Sequence, residues 1–252
     1  MNTDKSTTGT DPKVGRSTRK IAVITGVMFI IATVTHFMAA SLMPALTGTD
    51  YLIRFSAHAN QAAAGALLYL IAHFACAGIA VVMYPVLKKW NAGLALGSVV
   101  FRTIETAFYV VGLVCLLSLV TTGQQFTSAL AADRASLQAI GNLLVSMRDN
   151  AALLAVFAFC LGVFMYYYLL FQSRLIPRWL SGFGIVAIIL MLVACVLALF
   201  SGNRITSYIP LAAPILLQEM VLAVWLIVKG FNPSVIAPKS EKTETNELLS
   251  VA

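Results

Sequence analysis

The sequence is poor in charged residues. Of its 252 residues, 11% are charged and 60% are hydrophobic. Soluble domains carry about 25% charged residues, so this chain has too few to cover a surface that faces water. Several apolar runs are long enough to cross a bilayer core about 30 Å thick. The composition therefore predicts an integral membrane protein and excludes an ordinary soluble domain.

The sequence also lacks the motifs of common catalytic and cofactor sites. No GxSxG, HExxH, Walker A or GxGxxG motif occurs in a supporting context, which leaves hydrolase, metalloprotease and nucleotide-binding hypotheses without support. The cysteines fall one per apolar run, whereas disulfides would need them in loops and zinc would need paired spacing. We therefore predict buried packing cysteines, with no metal and no cofactor. These residues are Cys76, Cys115, Cys160 and Cys195.

A net charge of +7 does not indicate a nucleic-acid partner here. The basic residues cluster at the ends of apolar runs rather than along one helix face, which is the pattern of membrane topology. The predicted partner is the lipid bilayer. A small-molecule ligand is a further hypothesis. The sequence does not indicate how many copies of the chain associate.

Six apolar runs predict an all-α membrane bundle of six transmembrane helices, within one domain at residues 19–231. The predicted spans are about 21–43, 61–87, 92–119, 149–171, 178–200 and 208–228. The polar tails 1–18 and 232–252 are predicted to be disordered. A short helix is predicted from Asp50 to Ala59 with Asp50 as its cap, and Pro177 suits the start of the fifth span.

The longest predicted connection, Thr121 to Met147, leaves two structures open. Its apolar residues recur at helical spacing, with charged and polar residues between them. The segment is either an amphipathic helix at the membrane interface or an extension of the fourth span. The apolar positions are Leu137, Ile140, Leu144 and Met147.

The distribution of lysine and arginine predicts the orientation. Six spans place both termini on one side, and basic residues are enriched on the cytoplasmic side of membrane proteins. With both termini in the cytoplasm, twelve basic residues face inward and four face outward, so we predict a multi-pass membrane protein with both termini inside. The outward residues are Arg54, Arg134, Arg148 and Arg204; Arg102 lies within the membrane; the inward ones are Lys5, Lys13, Arg16, Arg19, Lys20, Lys88, Lys89, Arg174, Arg178, Lys229, Lys239 and Lys242.

Polar and small residues form one stripe along the third span. Ser98, Arg102, Glu105, Tyr109 and Gly112 are spaced alternately by four and three residues, so they share a helix face. Ionisable groups inside a bilayer are costly and normally face protein or water. The stripe is therefore predicted to face other helices.

Polar residues of other spans are predicted at the same depth. Counting along each run places His73 near the middle of the second span and Gln218 and Glu219 near the middle of the sixth. With Arg102 and Glu105 they form a predicted mid-membrane cluster. Secondary polar positions are Tyr109, His36, which is expected nearer the outer leaflet than His73, and Asp149 at the outer mouth. The different depths of the two histidines argue against haem ligation.

The cluster allows two interpretations. It binds a ligand or relays protons, or it is a structural ion pair that fixes helix register. At the level of the whole protein, the favoured hypothesis is a non-enzymatic structural, sensory or accessory role. The alternative is a small-solute or proton-coupled transporter using Glu105, Glu219 and His73. An intramembrane enzyme acting on a lipid is the weakest hypothesis, since Ser98 and His73 are poor candidates for its nucleophile and base.

Three segments resemble one protein family. They read ALLYLIAHFACAGIAVVMYPVLKKWNAGLALGSVVFRTIE at 66–105, RLIPRWLSGFGIV at 174–186 and LLQEMVLAVWLIVKGF at 216–231. They are similar to the bacterial domain-of-unknown-function 4386 family, and the resemblance extends over about residues 19–231. It implies a multi-pass protein of the bacterial cytoplasmic membrane and no assigned activity. The matching positions include Tyr84, Pro85, Gly93, Leu94, Ala95, Leu96, Arg102, Glu105, Pro177, Trp179, Gln218, Glu219 and Lys229.

Overall fold

The structure is a computed structural model that describes residues 12–236. Six of the helices in this part of the chain are long and apolar enough to span a membrane, as predicted. They are α1 (Pro12–Leu42), α3 (Ala59–Leu87), α4 (Ala92–Ser128), α5 (Ala131–Ser173), α6 (Arg178–Ser201) and α7 (Ile209–Val228). Shorter elements are α2 (Tyr51–Ala57), a 3₁₀ turn (Ile205–Tyr208) and α8 (Pro233–Ile236).

Two predicted boundaries are corrected. Helix α1 begins at Pro12, so residues 12–18 are helical rather than part of a disordered tail. The tight turn of α8 lies in the segment expected to be disordered from residue 232. The remaining tail predictions concern residues 1–11 and 237–252, which lie outside the described residues. The predicted start of α6 immediately after Pro177 is confirmed.

Helices α4 and α5 form a hairpin that is longer than the bilayer is thick. At about 1.5 Å per residue, helices of 37 and 43 residues measure about 55 and 65 Å. Both therefore project beyond a hydrocarbon core of about 30 Å. The segment from Thr121 to Met147 is thus mostly helical. Its second half is an extension of the fourth span rather than a separate helix at the membrane interface. We call this side of the bundle the hairpin end and the side with Lys88 and Arg174 the basic end.

Helix α2 packs against this hairpin. Leu52 and Phe55 are fully buried, and the Tyr51 hydroxyl donates a hydrogen bond to Asn142 Oδ1 at 2.7 Å. Gly123 of α4 allows the backbone of Leu52 to come into close contact, where a Cβ atom would collide. Asp50 precedes α2 as predicted, but its side chain makes no capping hydrogen bond. Its carboxylate instead forms an ion pair with Arg54 at 2.6 Å.

The six long helices form a ring in which each contacts its neighbours in the sequence, and α7 contacts α1. The basic half of the ring is densely packed around fully buried side chains such as Met83, Leu170 and Leu226. At that end Arg19 of α1 donates hydrogen bonds to the carbonyl groups of Leu226, Ile227 and Val228. These carbonyls end α7 without helical partners, so a guanidinium is well suited to bind them.

Candidate functional site

Arg102 and Glu105 form a buried ion pair. Arg102 Nη1 lies 2.7 Å from Glu105 Oε2, and the two side chains are 1% and 4% exposed. Their spacing of three residues places them one above the other on α4, as predicted. Arg102 Nε also donates to the Cys76 carbonyl of α3 at 3.3 Å, and the guanidinium lies 5.0 Å from the ring centre of Phe159 in α5. The pair is therefore held between three helices.

Small groups allow α3 and α5 to approach α4 at this level. Thr106 Oγ1 donates to the carbonyls of Arg102 and His73, each at 3.0 Å, which joins α4 to α3. On the other side, a Cβ atom at Gly162 would lie 3.2 Å from Arg102 Cγ. The absence of a side chain at Gly162 gives the arginine room to lie along α5.

His36 and His73 belong to one aromatic stack, so they lie closer together than the different depths predicted for them suggest. Their ring centres are 6.0 Å apart, and His73 stacks face to face on Tyr109 at 4.0 Å. Tyr69 lies 5.0 Å from His36 and 6.0 Å from His73. Helix α3 extends beyond the end of α1 towards the hairpin end, so a count of depth from the start of each apolar run is misleading.

Glu219 of α7 approaches the same region from the opposite side. Among the described residues it has no ion-pair partner within 4.0 Å, although it interacts electrostatically with Arg102. The Tyr166 hydroxyl lies beside it. The buried atoms Glu219 Oε1 and Tyr166 Oη have no hydrogen bond among the described residues. Glu219 is thus a carboxyl group with spare hydrogen-bonding capacity.

Gln218 is separate from the other predicted cluster residues. It is fully buried, accepts a hydrogen bond from the Tyr167 hydroxyl and donates to the Leu180 carbonyl at 3.2 Å. These contacts join α7 to α5 and α6. Consecutive helical residues point about 100° apart, so Gln218 and Glu219 serve different neighbours.

A cavity of about 440 Å³ lies among these groups. His73, Arg102, Glu105 and Glu219 all line it, and so do the secondary residues His36 and Tyr109. Each of the six long helices contributes to the wall. The other lining residues are Phe29, Ala32, Thr33, Phe37, Ala72, Cys76, Val156, Phe159, Met191, Ile209, Ala212, Ala213, Ile215 and Leu216.

The cavity reaches the surface of the bundle between α1 and α7. Phe37, Ile209 and Leu216 line it and are 56%, 61% and 38% exposed. Closer to the basic end the two helices are in tight contact, because a Cβ atom at Gly26 would lie 2.6 Å from the Ala223 carbonyl oxygen. The opening therefore lies among exposed apolar side chains on the half of the bundle towards the hairpin end.

Asp149 lies outside the cavity. Its carboxylate bridges Arg148 at 2.8 Å and Arg204 at 2.7 Å, which ties α5 to the turn before α7. It borders a separate surface pocket of about 340 Å³ at the hairpin end. Both arginines are partly exposed, so this network is a surface feature.

Comparison with protein families gives a match that covers most of the chain. The model of a domain of unknown function, DUF4386, matches residues 24–230. The chain belongs to the DUF4386 family. The resemblance expected from the sequence is thereby confirmed. Searches of curated proteins and of solved structures give no match.

In this DUF4386 protein the described residues include no group of three or more His, Cys, Asp or Glu side chains placed to hold a metal. The cavity instead combines one guanidinium, two carboxyl groups and aromatic rings within an apolar wall. Such a site can bind a polar or charged group of a largely apolar molecule.

Several cavity and stack residues of the DUF4386 domain were not predicted from the sequence. Tyr69 and Phe159 carry no spacing signal that separates them from ordinary apolar residues of a membrane helix. Tyr166 is one of three consecutive tyrosines, and only packing decides which of them faces Glu219. Cys76 was predicted as a buried packing residue, but it is only partly buried and lines the cavity, and its carbonyl accepts a hydrogen bond from Arg102 Nε.

Proposed function

We propose that this DUF4386 protein is a non-enzymatic binding protein of the bacterial cytoplasmic membrane, with a sensory or accessory role. The observation that carries the proposal is the cavity of about 440 Å³ beside Arg102, Glu105 and Glu219. Ligand sites typically measure about 300–1,000 Å³ and combine apolar walls with a few polar groups. An ion pair that served only to fix helix register would not need such a space next to it.

The position of the opening supports a ligand that arrives through the membrane. The cavity meets the surface at Phe37, Ile209 and Leu216, which lie in apolar helices. Towards the basic end, the fully buried side chains of Met83 and Leu170 belong to a packed core. A molecule with apolar and polar parts suits this access, because its apolar part favours the lipid region.

The residues around Ser98 support a non-enzymatic role. Activation of a serine nucleophile requires a base within hydrogen-bonding distance. Ser98 Oγ is buried and has no hydrogen-bond partner among the described residues. Glu105 is engaged with Arg102, and His73 is stacked on Tyr109.

The distribution of charge supports the proposed orientation. The turns at Lys88, Lys89 and Arg174 lie at the same end of the bundle as the start of α1 and the end of α7. Basic residues predominate there, which favours placing both termini in the cytoplasm.

A second candidate function is transport of a small solute, coupled or not to protons. It is favoured because the cavity is open on one side only. It extends from the surface to Glu105, Glu219 and His73, whereas the half of the bundle towards the basic end is packed. Alternating-access transporters adopt such one-sided states. Transport additionally requires a state in which the basic half opens.

Native mass spectrometry of the protein released from detergent micelles tests the binding role. We expect a small-molecule adduct on the wild-type protein. Ala213→Trp should abolish it, because Ala213 lines the cavity and an indole would fill the space. Leu217→Trp, on the same helix but 60% exposed and outside the cavity, should retain it. Equal adducts on all three proteins, or none on the wild type, would contradict the proposal.

A further inference from the structure

With both carboxyl groups ionised, the charges around the cavity do not balance. Arg102 supplies one positive charge, and Glu105 and Glu219 supply two carboxyl groups. Glu105 already neutralises Arg102 at 2.7 Å. Glu219 has no cation of the protein within 4.0 Å among the described residues, so an ionised Glu219 has no direct partner in the protein.

Glu219 is also positioned to accept a ligand. It lines the cavity and is partly exposed, whereas Arg102 is 1% exposed and is covered by Glu105, the Cys76 carbonyl and Phe159. A ligand in the cavity therefore has better access to the carboxyl group than to the guanidinium. The buried atom Glu219 Oε1 has no hydrogen bond among the described residues, so the protein does not saturate this carboxyl group.

The rest of the wall suits an organic cation. Phe29, Phe37 and Tyr109 line the cavity, and aromatic faces attract ammonium groups, more strongly where water is excluded. The opening lies among exposed apolar side chains of α1 and α7, so a small inorganic cation would lose its hydration on this path without compensation. A cation attached to an apolar body avoids that cost.

We propose that the cavity binds a lipophilic amine, with the carboxylate of Glu219 as the counter-ion of its ammonium group. This inference rests on the proposed binding function and specifies the chemical class of the ligand. The charge of the amine would complete the balance of one guanidinium and two carboxylates. The contact would be a charge-assisted hydrogen bond, which is shorter and stronger than a neutral one.

Three probes with the same apolar cage test the proposal: 1-adamantylamine, 1-adamantanol and 1-adamantanecarboxylate. At neutral pH the first is a cation, the second is neutral and the third is an anion. Their binding to the full-length protein in lipid nanodiscs is measured by isothermal titration calorimetry. We expect the amine to bind roughly tenfold more tightly than the alcohol, since a single desolvated charge contact is of that order. The carboxylate should bind most weakly.

Glu219→Gln keeps the size of the side chain and removes its charge. We expect it to abolish the preference for the amine over the alcohol while leaving the affinity for the alcohol unchanged. Asp149→Asn removes a carboxylate outside the cavity and should keep the preference. Each probe partitions equally into the nanodisc lipid of the wild type and of the variant, so the change in the amine-to-alcohol affinity ratio between the two proteins is independent of partitioning.

The outcomes separate the two proposals. If the alcohol binds as tightly as the amine, or if Glu219→Gln keeps the preference, the amine proposal is wrong while the binding role stands. Tighter binding of the carboxylate would assign the ligand site to Arg102 instead and would also overturn it. If no probe binds, the amine proposal fails, and the adduct seen by native mass spectrometry decides separately whether the cavity holds a ligand.

Discussion

Gln218 and Glu219 are neighbours in the sequence but lie on different sides of α7. Gln218 connects α7 to Tyr167 and to the Leu180 carbonyl, and Glu219 lines the cavity. One residue serves packing between helices, and the next faces open space. Substitutions at these two positions therefore distinguish effects on packing from effects on ligand binding.

The first prediction concerns Gln218. Gln218→Leu should destabilise the protein by about 1–3 kcal/mol, because the buried Tyr167 hydroxyl loses its acceptor. Adding Tyr167→Phe should recover part of that loss, since neither polar group is then left unpaired. Thermal unfolding in detergent measures both. Gln218→Leu should leave the affinity for adamantylamine unchanged, and a loss of affinity as large as that of Glu219→Gln would contradict the separation of roles.

The second prediction concerns the buried ion pair. Glu105→Gln should destabilise the bundle by roughly 3–5 kcal/mol, because it leaves the Arg102 guanidinium buried without its counter-charge. The double variant Arg102→Met, Glu105→Leu should be considerably more stable than the single one. Thermal unfolding of the wild type, the single variant and the double variant measures these differences in stability.

The matched control for that pair is Asp50 and Arg54, which have side chains 58% and 31% exposed. Asp50→Asn should cost at most about 1 kcal/mol, since water screens an exposed pair. An equal effect of Glu105→Gln and Asp50→Asn would show that burial of the Arg102–Glu105 pair has no energetic consequence.

The third prediction concerns the contact between α1 and α7. Gly26→Ala should destabilise the protein by about 1–3 kcal/mol, because its Cβ would lie 2.6 Å from the Ala223 carbonyl oxygen. Gly182→Ala is the control, since its Cβ would lie 3.8 Å from the nearest atom, in the ring of Phe171. That change should be neutral or stabilising by about 0.5–1 kcal/mol, the usual gain of alanine over glycine in a helix. Equal stability of the two variants would argue against a tight contact at Gly26.

The fourth prediction concerns the orientation in the membrane. Ser136→Cys, exposed on the projecting part of α5, should react in intact cells with a maleimide that does not cross membranes. Lys89→Cys, exposed in the turn at the basic end, should react only after the cells are permeabilised. The wild-type protein, with native cysteines in its spanning helices, should react weakly. The reverse pattern would place both termini outside.

The sequence predicts the spans of this protein better than the details of its site. Each span is a long apolar run, and the cost of polar groups in lipid makes such runs unambiguous. The same cost predicts that Arg102 and Glu105 face other helices, as their burial confirms. The predicted roles of the cluster stay predictions.

The remaining features depend on relationships between helices. The parts of α4 and α5 that project beyond the membrane contain many polar residues and pack against α2. No apolar run in the sequence marks these parts as helical. The contact of His36 with His73 depends on how far α3 extends past α1. The separation of Gln218 from Glu219 depends on the rotation of α7, and the cavity depends on space that the packed helices leave unfilled.

The ring of helices is closed by its first and last members. Every other neighbouring pair in the ring is joined by a connection of the chain, whereas α1 and α7 are separated by most of the sequence. Arg19 and the contact at Gly26 hold this seam at the basic end, and the mouth of the cavity lies further along it. Helices α1 and α7 can therefore separate at the cavity mouth without stretching any loop. Such a separation would admit a molecule that is larger than the present opening.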